Sequence, residues 1–135
     1  MQARTPEEID HLFVKAMNEG DVEAMLTLYE PDQVFVSQPG QPVVRGAGES
    51  LREKLRDFTS LKPRLKIEMK HVVEAGDIAL YCCQWTMQVT GPDGQEQTLS
   101  GRDANVARRQ PDGTWRILID NPFHEEYMLK ASTAS

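Results

Sequence analysis

The histidine at position 71 lies in a run that is otherwise typical of a strand with one buried face. Residues 64–75 (RLKIEMKHVVEA) alternate between apolar and charged side chains, and His71 falls on the apolar side. Imidazole titrates near neutral pH, so a histidine that faces a cavity can act as a general base. A hydrogen-bonded histidine in a core or an interface is the more common use of such a position. His71 is therefore a candidate base, with that structural role as the alternative.

A second group of candidates lies at the end of the last strand-like run, TWRILIDNPF, residues 114–123. Its apolar face consists of alternate residues: Trp115, Ile117 and Ile119. Because side chains of a strand alternate between faces, this pattern predicts that Asn121 points inward and Asp120 outward. Pro122 has no backbone N–H and ends the ladder of hydrogen bonds.

The first part of the chain predicts two helices that would precede these strands. Thr5, Pro6 and Glu8 form a capping box with proline at the first helical position. The apolar stripe that follows recurs at helical spacing: Ile9, Leu12, Phe13, Ala16 and Met17. A second, short helix is predicted from Asp21 to the residues before Pro31. Its inner face would carry Val22, Met25, Leu26 and Tyr29.

The rest of the chain predicts one further helix, over about residues 48–58, and a sheet. Strands are predicted over residues 34–37, 43–44, 64–75, 78–90, 96–109 and 114–121. The strand over residues 78–90 has a more apolar face: Tyr81, Cys83, Trp85, Met87 and Val89. Two Pro-Asp-Gly sequences, at residues 92–94 and 111–113, suit tight turns with a left-handed glycine.

Long strands twist, so this sheet is expected to curve strongly around the helices. We predict an α+β domain, a cystatin-like half-open cone, over residues 1–127. A small, polar, flexible tail is predicted over residues 128–135.

Composition excludes several classes of function. The net charge of −6 argues against nucleic-acid binding, which relies on a surplus of lysine and arginine. The longest apolar run has six residues and the N-terminus lacks an apolar signal segment, so no membrane association is expected. Cys82 and Cys83 are adjacent and suit neither a disulfide nor a metal site, which favours free thiols and a cytoplasmic location. No phosphate-binding glycine loop or metal-ligand pattern is present, so we expect no cofactor and no metal.

Three segments together resemble the nuclear transport factor two-like superfamily, which includes SnoaL-like and ketosteroid isomerase-like proteins. These segments are AMNEGDVEAMLTLYEPD, VFVSQPGQPVVRGAGESLREKL and RDANVARRQPDGTWRILIDNPF. The resemblance spans about residues 5–123 and implies a homodimer with an apolar pocket inside each cone. Activities in that superfamily range from isomerases, hydratases and cyclases to binding domains, so fold alone does not decide function.

The resemblance also assigns positions within the pocket. Ketosteroid isomerase uses a tyrosine, a carboxylate base and a protonated aspartic acid. The corresponding residues here are Phe13, which has no hydroxyl, Gln38, whose amide is not a base, and Asn105, so all three differ from the isomerase set. Classical ketosteroid isomerase activity is therefore not expected, although Gln38 and Asn105 can still form hydrogen bonds with a ligand.

If Asn105 points inward, strand alternation also turns Asp103 and Ala107 inward. Asp103 would then be an ionisable group on the concave face, able to act as a base or to activate water as in limonene epoxide hydrolase-like enzymes. The alternative is an aspartate paired with a neighbouring amide or cation near the rim. Asn121 would lie beside Asp103 and Asn105 in a polar cluster, and Trp85 would form a wall of the pocket.

Three functions remain open at this point. The first is binding of a small, largely apolar molecule, with Phe13 and Trp85 as walls and Gln38, Asp103, Asn105 and Asn121 as polar contacts. The second is an isomerase-, hydratase- or hydrolase-type enzyme with Asp103 or His71 as general base. The third is a dimerisation module without a ligand.

Overall fold

In the computed structural model, a six-stranded sheet curves around the N-terminal helices. The structure describes residues 2–134, with the side chains of residues 2–129. The helices are α1 (Pro6–Glu19), α2 (Val22–Leu26), α3 (Glu49–Thr59) and α4 (His124–Ala134). The strands are β1 (Tyr29–Phe35), β2 (Val44–Arg45), β3 (Arg64–Ala75), β4 (Ile78–Thr90), β5 (Glu96–Arg109) and β6 (Trp115–Asp120). The predicted α+β class and curved sheet are confirmed.

The strands lie in the order β2-β1-β6-β5-β4-β3. From β3 to β6 they form the predicted antiparallel meander. The glycines of both Pro-Asp-Gly turns, Gly94 and Gly113, adopt the expected positive φ, at 79° and 85°. β1 joins the other edge of β6 in parallel and carries β2 on its outer side.

Helix α1 begins and ends as its sequence predicts. The Thr5 hydroxyl accepts a hydrogen bond from the Glu8 N–H at 3.2 Å, and Gly20 ends the helix at φ 71°. Ile9, Ala16 and Met17 are buried against the sheet, because they share one face of the helix. This helix forms one side of the interior of the cone.

β1 begins earlier than predicted. Tyr29, expected on the inner face of a helix, is instead the first residue of the strand, is 1% exposed and pairs with Ile117. The reason is tertiary, because pairing with β6 satisfies the backbone there and buries a large aromatic ring. The local pattern of residues 21–30 could not show that partner.

A β-bulge in β3 reverses the orientation predicted for His71. Met69 pairs with Cys83 and His71 with Cys82, so two steps along β3 match one step along β4. The extra residue moves the inward series from Met69 to Val72 and turns His71 outward, where it is exposed. The prediction that His71 lies on the inner face is wrong.

A second bulge has the same effect on β6. Ile117 pairs with Ala107, and Ile119 pairs with Val106, so Leu118 is the extra residue. Ile119 is consequently 36% exposed on the outer face. Asp120 then points inward, and the predicted orientations of Asp120 and Asn121 are wrong by one residue.

The faces predicted for β4 and β5 are confirmed. Asp103, Asn105 and Ala107 are 7%, 5% and 0% exposed. On β4 the inner residues Tyr81, Cys83, Met87 and Val89 are buried and Trp85 is half-buried. These two strands pair residue for residue along their length, so their side-chain alternation is uninterrupted. Both cysteines are free thiols.

Helix α4 runs through most of the segment predicted to be a tail, and the flexibility of residues 128–135 stays a prediction. The Tyr127 hydroxyl donates to the Ser37 carbonyl at 2.6 Å and holds the helix beside the end of β1. Within residues 2–134, no helix is long and apolar enough to cross a membrane.

Candidate functional site

A cavity of about 210 Å³ lies between the helices and the concave face of the sheet. Most of its walls are apolar and include Phe13, Met17, Phe35, Leu55, Trp85 and Phe123. We call the buried lining residues Tyr81, Asp103, Asn105 and Ile117 the floor. The solvent-accessible lining residues Gln38, Lys54, Phe58 and Leu99 form the rim.

Asp103 is the buried carboxyl group of the floor. Its Oδ1 accepts a hydrogen bond from the backbone N–H of Cys83, opposite it on β4, at 2.7 Å. Burial and, to a smaller extent, the charges of Asp120 and Asp10 raise the pKa of Asp103 to about 7. The Cys83 amide and the Asn105 side chain oppose this shift. Asp103 therefore exchanges a proton close to neutral pH.

Asp120 brings a second carboxyl group into the cavity. The hydroxyl of the buried Tyr29 donates to its Oδ2 at 2.7 Å. Burial raises the pKa of Asp120, the Tyr29 hydrogen bond opposes this shift and the charge of Asp10 adds to it, with a resulting pKa of about 6. Tyr29 itself has a raised pKa, because it is buried and faces this carboxylate, and so remains a donor.

Asp10 supplies a third carboxyl group, from α1. The thiol of Cys83 donates to its Oδ2 at 3.0 Å. Burial raises the pKa of Asp10 to about 6, and the thiol hydrogen bond partly offsets that effect. The same contacts and the burial of Cys83 raise the pKa of its thiol, so Cys83 is a hydrogen-bond donor and not a thiolate.

We call Asp10, Asp103 and Asp120 the carboxylate cluster. The charge of Asp10 raises the pKa of both Asp103 and Asp120, and the charge of Asp120 raises that of Asp103, so the titrations of these groups near neutral pH are linked. Such a cluster can hold a protonated carboxyl group and an ionised one together, which is the arrangement that general acid–base chemistry requires. Within the described residues, these groups do not form a cluster that could hold a metal ion.

The sequence family described as the SnoaL-like domain matches residues 11–117, which is most of the chain. This chain belongs to the SnoaL-like family. No curated protein matches it. The resemblance found in the sequence is therefore confirmed at the level of the family.

Solved structures similar to this SnoaL-like domain carry names from different functional classes. One is a Streptomyces avermitilis protein of the nuclear transport factor two-like family, provisionally named a dehydratase. It is 24% identical, with 84% of this chain and 89% of that chain covered and a TM-score of 0.69. A Shewanella frigidimarina protein provisionally named a ketosteroid isomerase is 19% identical, with 84% and 90% covered and a TM-score of 0.69.

A third similar structure has a name that denotes association rather than chemistry. It is a Xanthomonas campestris protein provisionally named a calcium/calmodulin-dependent protein kinase II association domain. It is 22% identical, with 89% of this chain and 91% of that chain covered and a TM-score of 0.69. At these identities the similarity establishes the fold of the SnoaL-like domain and leaves its function open.

Four of the residues predicted for the site, besides Asp103, line the cavity of this SnoaL-like domain: Phe13, Gln38, Trp85 and Asn105. Phe13 packs edge-on against Tyr29, with ring centroids 6.3 Å apart. Trp85 donates from Nε1 to the Pro122 carbonyl at 2.8 Å, which holds its indole as a wall. Gln38 is exposed at the rim.

The other two predicted residues do not line the cavity. His71 is outside the cavity, because the bulge in β3 turns its side chain to the outer face of the sheet. Asn121 contributes its backbone N–H, which donates to Asn105 Oδ1 at 2.7 Å, while Asp120 occupies the inward position. The side chain of Asn121 therefore does not join Asp103 and Asn105 in the predicted polar cluster, and Asp120 occupies the place expected for it.

Sequence reasoning missed Asp10 and Asp120. Asp10 had a usable signal, because it lies three residues before Phe13 and seven before Met17, on one helical face. Asp120 had none, since its orientation depends on a bulge in a paired strand.

Proposed function

We propose that this SnoaL-like domain binds a small, largely apolar molecule in the cavity. The observation that carries the proposal is an apolar enclosure that ends on a buried, protonatable carboxyl group, Asp103. Ligand sites typically combine apolar walls with a few converging polar groups. The volume of about 210 Å³ exceeds the ~150 Å³ of an apolar cavity that holds benzene. It falls below the ~300–1,000 Å³ typical of drug-sized ligands.

Asp103 on the floor determines which chemical group of the ligand is favoured at that end of the cavity. With a pKa of about 7, Asp103 is partly protonated at neutral pH and can donate a hydrogen bond to a carbonyl or hydroxyl oxygen. In an apolar enclosure such a bond is stronger than in water. An alicyclic or aromatic ring with one carbonyl group fits both the volume and the floor.

Intrinsic fluorescence tests the proposal, since the two tryptophans have different positions. Trp85 lines the cavity, whereas Trp115 is buried in the core, 3% exposed. Titration with 4-tert-butylcyclohexanone is expected to change the emission with saturation. The change should disappear in Trp85→Phe and persist in Trp115→Phe. An absence of saturable change, or the reverse dependence on the two tryptophans, would refute binding at this site.

A second candidate function is supported by the inward position of Asp120. We propose an isomerase- or hydratase-type activity in which one ionised member of the carboxylate cluster removes a proton from carbon next to a carbonyl. The C–H bond breaks, its electron pair forms an enolate, and the proton moves to the carboxylate. A protonated member donates a hydrogen bond to the enolate oxygen, and return of the proton to carbon completes the exchange.

Hydrogen–deuterium exchange measures that step without knowledge of the natural substrate. In deuterated buffer, the wild-type protein should accelerate loss of the α-proton signals of 4-tert-butylcyclohexanone in proton NMR. General bases contribute about 10²–10⁴-fold, so we expect Asp103→Asn to slow exchange at least ~10-fold. The exposed Asp57→Asn is the matched control. If Asp103→Asn and Asp120→Asn both exchange at the wild-type rate, the catalytic proposal fails.

We also propose that two copies pair through the outer face of the sheet. Five apolar residues face one another in register across it: Val73, Leu80, Val106, Ile119 and Val34. Val73, Leu80 and Ile119 are 46%, 44% and 36% exposed, and an exposed apolar row of this kind is typical of an interface. Leu80→Lys should convert a dimer to a monomer in light scattering, whereas Gln84→Lys on the same strand face should not.

A further inference from the structure

The rim of the cavity carries a basic side chain, Lys54, which lies beside two aromatic rings. Lys54 Nζ lies 5.8 Å from the ring centroids of both Phe35 and Phe58. All three residues line the cavity. Cation–π contact with two aromatic faces holds the ammonium group beside the opening. Among the described lining residues, Lys54 is the one basic side chain.

Lys54 also differs from the other basic residues of its helix. Arg52 is paired with Glu23 and Glu49, and Arg56 is paired with Glu49. Within the part of the chain that the structure describes, Lys54 forms no ion pair. An ammonium group that lines an apolar cavity without a carboxylate partner can donate hydrogen bonds to a carboxylate of the ligand.

The carboxylate cluster decides which end of a ligand reaches Lys54. Asp10, Asp103 and Asp120 come from α1, β5 and β6, whereas Lys54 comes from α3. An anionic group would be repelled at the floor and attracted at the rim. An apolar body with an anion at one end therefore has one favourable orientation, with the anion outward.

We propose that the ligand is an amphipathic acid, an alicyclic or aromatic ring whose carboxylate pairs with Lys54 at the rim. Its apolar body fills the cavity, and an uncharged carbonyl or hydroxyl group meets Asp103. This inference rests on the proposed binding function and adds the charge of the ligand and its orientation.

A matched pair of probes isolates the charge. The trans isomers of 4-tert-butylcyclohexane-1-carboxylate and its carboxamide have nearly the same shape and differ by one negative charge. We expect the carboxylate to bind about fivefold more tightly at pH 7.5 in calorimetry. In Lys54→Gln the ratio of the two dissociation constants should fall to about one. Lys15→Gln, which removes an exposed lysine of α1 and the same charge, should leave the ratio unchanged.

Salt provides an independent measure of the same contact. At about 1 M salt the Debye length is about 3 Å, so the preference for the carboxylate should shrink while carboxamide binding persists. Thermal unfolding of Lys54→Gln serves to show that the variant is folded.

The outcomes separate this inference from the function on which it rests. Equal affinity of both probes for the wild type, or an equal loss of preference in Lys15→Gln, would overturn the role of Lys54 and leave binding intact. If neither probe binds and 4-tert-butylcyclohexanone does not bind, the proposed function fails and the inference fails with it. Binding of 4-tert-butylcyclohexanone without binding of the carboxylate would overturn the inference alone.

Discussion

The floor and the rim of the cavity place opposite charges in different surroundings. At the floor, Asp103 is 7% exposed and burial raises its pKa to about 7. At the rim, Lys54 keeps contact with water and lies beside two aromatic rings. These regions have different proposed tasks, with proton exchange at the buried floor and attraction of an anionic group at the exposed rim. Substitutions in the two regions should therefore change the free energy of unfolding by different amounts and with different pH dependence.

The largest effect is expected from the pH dependence of stability. The folded-state pKa of Asp103 lies above its ordinary value of 3.8, so the folded protein binds this proton more tightly than the unfolded chain does. The resulting stabilisation is complete below about pH 4 and is lost as the pH rises through about 7. Asp120 and Asp10, with pKa values of about 6, act in the same direction.

Asp103→Asn should flatten this dependence, because an amide does not ionise and its oxygen can still accept from the Cys83 N–H. A tenfold change in proton affinity corresponds to about 1.4 kcal/mol. We therefore expect the free energy of unfolding of the wild type to fall by a few kcal/mol between pH 5 and 8, and that of Asp103→Asn to fall by less. Urea unfolding at several pH values measures it. Asp57→Asn is the exposed control, and an unchanged pH profile in Asp103→Asn would contradict a titrating floor.

A substitution behind the cavity wall, at a residue that contacts Trp85, should rank second. A Cβ atom at Gly101 would lie 2.7 Å from Trp85 Cζ2, so alanine there must displace the indole. Displacement breaks the Trp85 hydrogen bond to Pro122, and overpacking of this kind costs about 1–3 kcal/mol. We expect Gly101→Ala to lower stability and abolish the fluorescence response to ligand. Ser100→Ala, at the exposed neighbouring position, should do neither.

Two tyrosine hydroxyl groups form hydrogen bonds of different kinds, one with a charged acceptor and one with a neutral acceptor. Tyr29 donates to a carboxylate of the cluster at 2.7 Å, and Tyr127 donates to a backbone carbonyl at 2.6 Å. Hydrogen bonds to charged groups contribute about 1.5–3 kcal/mol, against about 0.5–1.5 for neutral ones. Tyr29→Phe should therefore cost more stability than Tyr127→Phe. It should also raise the pKa of Asp120, measurable by carboxyl carbon NMR, and an unmoved titration would count against that contact.

The smallest effect on stability is expected at the rim. Lys54→Gln removes a partly exposed cation–π contact, which contributes about 0.5–1 kcal/mol. Thermal unfolding should change by only a few degrees, with no change in its pH dependence between pH 5 and 8. A loss as large as that of Gly101→Ala would show that Lys54 supports the fold rather than the opening.

Much of this arrangement was predictable from local patterns. The capping residues of α1, the turns at Gly94 and Gly113 and the inner faces of β4 and β5 follow from side-chain alternation and turn chemistry. The family resemblance predicted Phe13, Gln38 and Asn105 in the cavity, alternation from Asn105 added Asp103, and the apolar face of β4 added Trp85; all five line it. The prediction was wrong for His71 and for the pair Asp120 and Asn121. In both cases the strand contains a bulge that its own residues do not reveal.

Local sequence therefore determined α1, α3, the meander from β3 to β6 and the faces of the regular strands, because helix caps, turns and alternation act over a few residues. Tertiary structure alone brought Asp120 into the carboxylate cluster. A bulge forms where a curved strand must stay paired with its neighbour, so it depends on both strands and not on one pattern. One extra residue in β6 turns Asp120 inward, and one in β3 turns His71 outward. Those two reversals remove the predicted candidate His71 from the inner face and add Asp120 to the carboxylate cluster.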